Sequence, residues 1–128
     1  MPTKILIVED EPAIAENIKA LLQAKGFEAD CAFDGAEAVA MARRMLPDLI
    51  LLDIMLPKMG GFDVCRIIKS DPILKRARII MVTGLGRNGD VETAFSNGAD
   101  DYLFKPFDSE RLFKKISKVM SAPRPPAA

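Results

Sequence analysis

Apolar residues along this chain fall into two alternating patterns. The first is a short unbroken run. Lys4-Ile5-Leu6-Ile7-Val8, Leu49-Ile50-Leu51-Leu52 and Arg78-Ile79-Ile80-Met81-Val82 are of this kind. Runs without every-other-residue alternation mark parallel strands buried on both faces. Phe27 to Phe33 and Asp101 to Phe104 are weaker versions and predict two more strands. The second pattern has helical spacing. Ile14, Ile18, Leu21 and Leu22 predict the apolar face of a first helix, ended by Gly26. Asp34 stands three residues before Glu37, a predicted N-cap with its capping-box partner. The Ala-rich helix it opens runs to Met45, just short of Pro47. The turn-rich Pro57-Lys58-Met59-Gly60-Gly61 predicts a helix from about Phe62 to Ser70. Asp90 to Asn97 predicts a short helix stopped by Gly98, and Leu112, Ile116, Val119 and Met120 give the stripe of a last one.

Five strands alternating with five helices imply βαβ units and a parallel sheet. Right-handed crossovers place helices on both faces. The predicted fold is α/β, a flavodoxin-like doubly wound five-stranded sheet in the order 2-1-3-4-5. The 128 residues suit one domain, predicted over 1–121, with 122–128 a Pro- and Ala-rich tail or linker stub.

Composition narrows the chemistry. Lys plus Arg and Asp plus Glu are both 18, so there is no basic excess to bind nucleic acid through its phosphates. No apolar stretch approaches the ~20 residues of a membrane helix, and the N-terminus lacks a signal peptide's apolar core. A cytoplasmic location follows as the expectation. The chain has no His, which excludes Ser-His-Asp and Cys-His catalysis and His-ligated zinc on this chain. Cys31 and Cys65 stand far apart outside any CxxC pattern and read as small core hydrophobes.

In a doubly wound sheet, ligands bind beyond the carboxyl ends of the strands. After the first strand come Glu9, Asp10 and Glu11; the third ends in Asp53, the fourth in Thr83-Gly84, the fifth in Lys105-Pro106. These are neighbours in the predicted order, so their polar ends converge. A strand-end Asp alone is more often a helix cap, and a Lys alone a solvated charge. Together they are different. At ~4 Å and an effective dielectric of ~20, each close pair of carboxylates repels by about 4 kcal/mol. Lys105 offsets one charge, and a hard divalent cation with oxygen ligands, Mg²⁺ foremost, would offset the rest. Such a site keeps positions open for a phosphate. Lys and Thr suit phosphoryl oxygens, and Asp53 is the candidate nucleophile.

From about Thr3 to Ser121 the sequence resembles the receiver domain of bacterial two-component response regulators. The resemblance rests on Glu9-Asp10, on Asp53 with Pro57 and Gly61 four and eight residues on, on Thr83-Gly84, on Tyr102, and on Lys105-Pro106-Phe107. It implies Asp53 as phosphoacceptor. It implies Mg²⁺, with Mn²⁺ as a substitute, ligated by Asp10, Asp53 and the backbone carbonyl of Met55, with Glu9 reaching the metal through water. Lys105 and Thr83 would bind the phosphoryl oxygens, Tyr102 would be the aromatic switch, and the Lys105–Pro106 bond would be cis. Met55 and Leu85 would tune the phosphoryl lifetime. The donor would be a sensor histidine kinase or histidine phosphotransfer protein. The output would be the surface of the fourth helix, fifth strand and fifth helix. That surface would serve a downstream protein, an output domain beyond this chain, or a phosphorylation-dependent dimer of an otherwise monomeric domain. Catalysis would extend only to its own phosphorylation and dephosphorylation. Glu9 departs from the family pattern, in which Asp is commoner.

Two other readings compete. Gly84-Leu85-Gly86-Arg87-Asn88-Gly89 spells a dinucleotide-binding fingerprint. It falls on the fourth βα unit, however, and the helix after it begins with an acidic Asp90 that repels a pyrophosphate. An aspartyl-phosphate hydrolase would want a general acid two residues after Asp53, where this chain has Met55. Without an acid, Asp53 needs a good leaving group, which a phosphohistidine nitrogen is.

Overall fold

The computed structural model describes residues 2–84 and 88–123, and of residues 88–90 the backbone alone. Leu85 and the middle of the glycine-rich pattern, together with the tail from Arg124, lie outside the described residues. The strands are β1 (Lys4–Val8), β2 (Glu28–Ala32), β3 (Leu49–Asp53), β4 (Arg78–Gly84) and β5 (Asp101–Lys105). The helices are α1 (Pro12–Ala24), α2 (Gly35–Met45), α3 (Gly61–Ser70), α4 (Asn88–Ser96) and α5 (Ser109–Ser121). The strands form one sheet in the order β2-β1-β3-β4-β5 with every pairing parallel, as predicted.

The strand runs are apolar throughout because both faces are covered. Leu6, Val8, Ile50, Leu52, Ile79 and Met81 face a core closed by α2, α3 and α4. Ile5, Ile7, Leu49, Leu51, Ile80 and Leu103 face a second core closed by α1 and α5. Cys31 and Cys65 are buried free thiols, and burial pushes each up to about 11, far from reactive thiolate.

The helix ends follow local chemistry. Asp34 caps α2, accepting from the Glu37 N–H at 2.8 Å, and Glu37 Oε1 in return accepts from the N–H of Phe33 at 2.8 Å. The reciprocal bond thus reaches one residue further back than the predicted capping box. Gly26, at φ 91°, takes the left-handed turn after α1. The α1 stripe differs from the expectation. Ala15, Ile18 and Leu22 are its buried residues, whereas Ile14 is exposed. The helix turns its small Ala15 to the sheet, and hydrophobicity alone does not register that choice. α3 and α4 each begin slightly earlier than predicted, at Gly61 and Asn88. Among the described residues, no helix is long and apolar enough to cross a membrane.

Candidate functional site

Parallel pairing brings the ends of β1, β3, β4 and β5 to one edge. Asp53 lies opposite Val82 in the register of β3 with β4, and Thr83 and Gly84 lie opposite Phe104 and Lys105. The polar residues that follow the apolar runs are therefore delivered to a common depression. Ile54 continues β3 by donating its N–H to Val82 O at 3.1 Å. α3 then starts against the end of β3. Gly61 donates its N–H to Ile54 O at 3.0 Å, and a Cβ on Gly61 would lie 2.2 Å from the Asp53 carbonyl oxygen. That close approach is the physical reason for a glycine eight residues after Asp53.

Glu9, Asp10 and Asp53 each offer a carboxylate oxygen, and these oxygens all lie within 4.8 Å of one another. Glu9 and Asp53 are buried and Asp10 is exposed, so the cluster has a buried floor and an open lip. Asp53 is held from two sides. Its Oδ1 accepts the Met55 N–H at 3.0 Å and its Oδ2 accepts from Lys105 Nζ at 2.7 Å. Lys105 Nζ also donates to Glu9 Oε2 at 3.0 Å, so one ammonium bridges the ends of β1 and β3 from β5. The Lys105–Pro106 peptide is cis. Thr83 is buried at the end of β4, and the Met55 side chain is exposed beside Asp53.

The predicted Glu9, Asp10, Asp53 and Lys105 are thus brought together. The tight pairing of Glu9 with Lys105 is an addition, because the resemblance placed Glu9 only near a metal through water. Its signal in the sequence is the acidic residue directly after β1, which faces Lys105 only once the strand order is known. Tyr102 stands elsewhere on β5. It is half-buried between α4 and α5, with ring centroids 6.0 Å from Phe95 and 5.1 Å from Phe104.

Three carboxylates meet one ammonium here. Burial of Glu9 and the neighbouring Asp53 outweigh Lys105 and push the Glu9 carboxyl up to about 7. Burial works against the charged form of Lys105, but its bonds to Asp53 and Glu9 prevail and hold its pKa above the ordinary lysine value. The Glu9 shift has a consequence for stability. An unfolded Glu ionises near 4.5 and the folded one near 7, so between these values the folded chain binds the extra proton. Without added metal, stability is expected to fall as pH rises from about 5 to about 7.5. Urea midpoints across that range should show the fall, and Glu9→Gln should flatten it. A wild-type profile that rises through this window would contradict the assigned environment of Glu9.

The chemistry of this edge fits a hard divalent cation. The donors are carboxylate oxygens, their negative charge exceeds that of Lys105, and Asp10 keeps one side open to solvent.

The comparisons with known proteins converge on one family. A family model described as the response regulator receiver domain matches residues 5–117. The response regulator PleD of Caulobacter vibrioides is 42% identical over 119 residues, covering 93% of this chain and 26% of PleD. The DNA-binding dual master transcriptional regulator RpaA of Synechocystis sp. is 39% identical over 117 residues, covering 91% of this chain and 48% of RpaA. The chain therefore spans between a quarter and a half of these curated relatives. Among solved structures, the Vibrio cholerae chemotaxis protein CheY4 superimposes with a TM-score of 0.88 at 31% identity, covering 93% of this chain and 99% of that one.

Proposed function

This chain belongs to the family of response regulator receiver domains, and we propose that within it Asp53 accepts a phosphoryl group from a phosphohistidine on a partner protein. The observation that carries this reading is the state of Asp53. It is buried at the carboxyl edge of the sheet and fixed by the Met55 N–H and by Lys105, with two more carboxylates beside it. A carboxylate oxygen of Asp53 attacks phosphorus, the N–P bond of the donor breaks, and its electron pair returns to the imidazole of the partner. The product is an acyl phosphate on Asp53. No acid on this chain is required, because the imidazole is itself a good leaving group.

Asp10 and Asp53 would hold Mg²⁺, with Mn²⁺ as a substitute. The Met55 carbonyl would complete the protein ligands and Glu9 would act through water. When bound, the ion neutralises the excess negative charge and supports the incoming phosphoryl oxygens. Lys105 would move from Asp53 to a phosphoryl oxygen, and Thr83 would donate its hydroxyl to another. Tyr102 would follow Thr83 inward, altering the face formed by α4, β5 and α5. That face would be read by a downstream protein, by a further domain such as the extra length of the relatives allows, or by a second copy of this chain. The donor would be a sensor histidine kinase or a histidine phosphotransfer protein. Residues 1–121 would make up the receiver and 122–128 a Pro- and Ala-rich tail or linker stub.

Acetyl phosphate, a small donor, tests the metal requirement. With Mg²⁺ the protein should gain a single phosphoryl mass; with EDTA it should gain none. Mg²⁺ should also raise the melting temperature with concentration by mass action. Asp10→Ala is expected to lose that rise and most of the phosphoryl gain. Equal modification with Mg²⁺ and with EDTA would refute the metal site.

A further inference from the structure

We propose that Lys115 is a positioning residue that holds Tyr102 against α5, opposing its movement toward Thr83. The inference rests on the reading of Tyr102 as the moving part. Lys115 Nζ lies 4.9 Å from the centre of the Tyr102 ring, over its face. The face of an aromatic ring is its negative pole, so a cation there is attracted to it. The two phenylalanines approach Tyr102 at steep angles, 88° for Phe95 and 66° for Phe104, so the ring lies in an aromatic cradle with an ammonium above it.

The ammonium is itself fixed. Lys115 Nζ donates to Asp101 Oδ1 at 3.2 Å, and that same oxygen accepts the N–H of Tyr102 at 2.8 Å. Asp101 is 6% exposed and belongs to the strand that carries the ring. Lys115 is thus tied to the residue next to Tyr102, and its charge stays in place whether or not the ring does. Lys118 also pairs with Asp101, at 3.4 Å to Oδ2, but its side chain is 73% exposed against 22% for Lys115. The two lysines therefore separate two roles. Both compensate the buried carboxylate, and Lys115 is the one seated over the face of the ring.

A ring that leaves this position gives up the contact with Lys115 while the Asp101 bonds persist. That difference between the two states is what shifts an equilibrium. Removing the charge from Lys115 should raise the population of the inward ring about two- to fivefold, the size expected of one partly exposed cation–π contact.

Proton NMR of the unphosphorylated protein tests this. Tyr102 is the one tyrosine of the chain, so its ring signals carry no overlap from another. Wild type should show cross-peaks between the Lys115 ε-methylene and the Tyr102 ring. In Lys115→Met, the ratio of Tyr102 cross-peaks to the Thr83 methyl over those to Phe95 should rise about two- to fivefold. Lys115→Arg should keep the wild-type ratio, because a guanidinium can both stack on the ring and pair with Asp101. Lys118→Met should keep it as well. An unchanged ratio in Lys115→Met, an equal rise in Lys118→Met, or no Lys115–Tyr102 cross-peak in wild type would each overturn the proposal. None of these readouts needs phosphoryl transfer. Failure here would leave Asp53 as acceptor untouched, and failure of Asp53 to react would leave this result readable.

Discussion

Gly61→Ala is expected to cost about 3 kcal/mol or more of folding stability, with loss of the geometry around Asp53. The added Cβ would stand 2.2 Å from Asp53 O and 2.8 Å from Ile54 Cα. Both are backbone atoms, so no side chain can swing away to relieve the clash. Either α3 retreats from the sheet or the end of β3 bends, and both displace the Asp53 carboxylate from Lys105. Gly60 provides the control. A Cβ there meets nothing nearer than 3.9 Å, and its φ of −67° suits any residue. As the N-cap of α3, where Ala is poorer than Gly, Gly60→Ala should cost no more than about 1 kcal/mol. Urea unfolding of the two variants separates the outcomes. Equal, small losses at both positions would contradict the close packing of α3 on β3.

Lys105→Met is expected to destabilise the metal-free protein by about 2 kcal/mol at pH 8 and by clearly less at pH 6. Breaking a fully buried ion pair typically costs about 3–5 kcal/mol. The lower figure applies because a third of the Lys105 side chain is in water. The methionine keeps most of the apolar stem, so the loss reports charge. Glu9 sets the pH dependence. With Lys105 gone the charge of Asp53 loses its ammonium partner, and the Glu9 carboxyl moves still higher than about 7. The folded state then escapes the repulsion at pH 6 by keeping Glu9 protonated, and cannot do so as well at pH 8. Mg²⁺ should recover part of the loss at pH 8. A loss that is the same at pH 6 and pH 8 would show that Lys105 acts through packing and that the acidic cluster does not need it.

The strands and their order were legible because parallel strands buried on two faces must be apolar throughout, as Ile5–Val8 and Leu49–Leu52 are. The polar residues directly after those runs then identified the edge where Glu9, Asp10, Asp53 and Lys105 meet. What the sequence did not disclose depends on rotations and reach. Whether α1 buries Ile14 or Ala15 is set by how near the helix lies to the sheet, which its periodicity leaves open. Lys105 pairs with Glu9 as well as Asp53 because one flexible stem spans the ends of β1 and β3, and that distance exists only in the assembled sheet. The surroundings of Tyr102 are harder still. Phe95, Lys115 and Asp101 come from α4, α5 and β5, and no local spacing links them. Gly61 lies between these extremes. Its place eight residues after Asp53 was visible, but its contact with the Asp53 carbonyl exists only once α3 packs against β3.

Mass measurement of the protein after incubation with Mg²⁺ and acetyl phosphate, with Asp53→Asn beside the wild type, tests the central claim most directly. Wild type should gain one phosphoryl group, removable by hydroxylamine or base as an acyl phosphate is, and Asp53→Asn should gain none. The amide is a poor nucleophile and a poor ligand for a hard cation, while its size preserves the packing around it. Asp53→Asn carrying the wild-type stoichiometry would contradict Asp53 as the acceptor, and the roles proposed for Lys105, Thr83 and Tyr102 would fall with it.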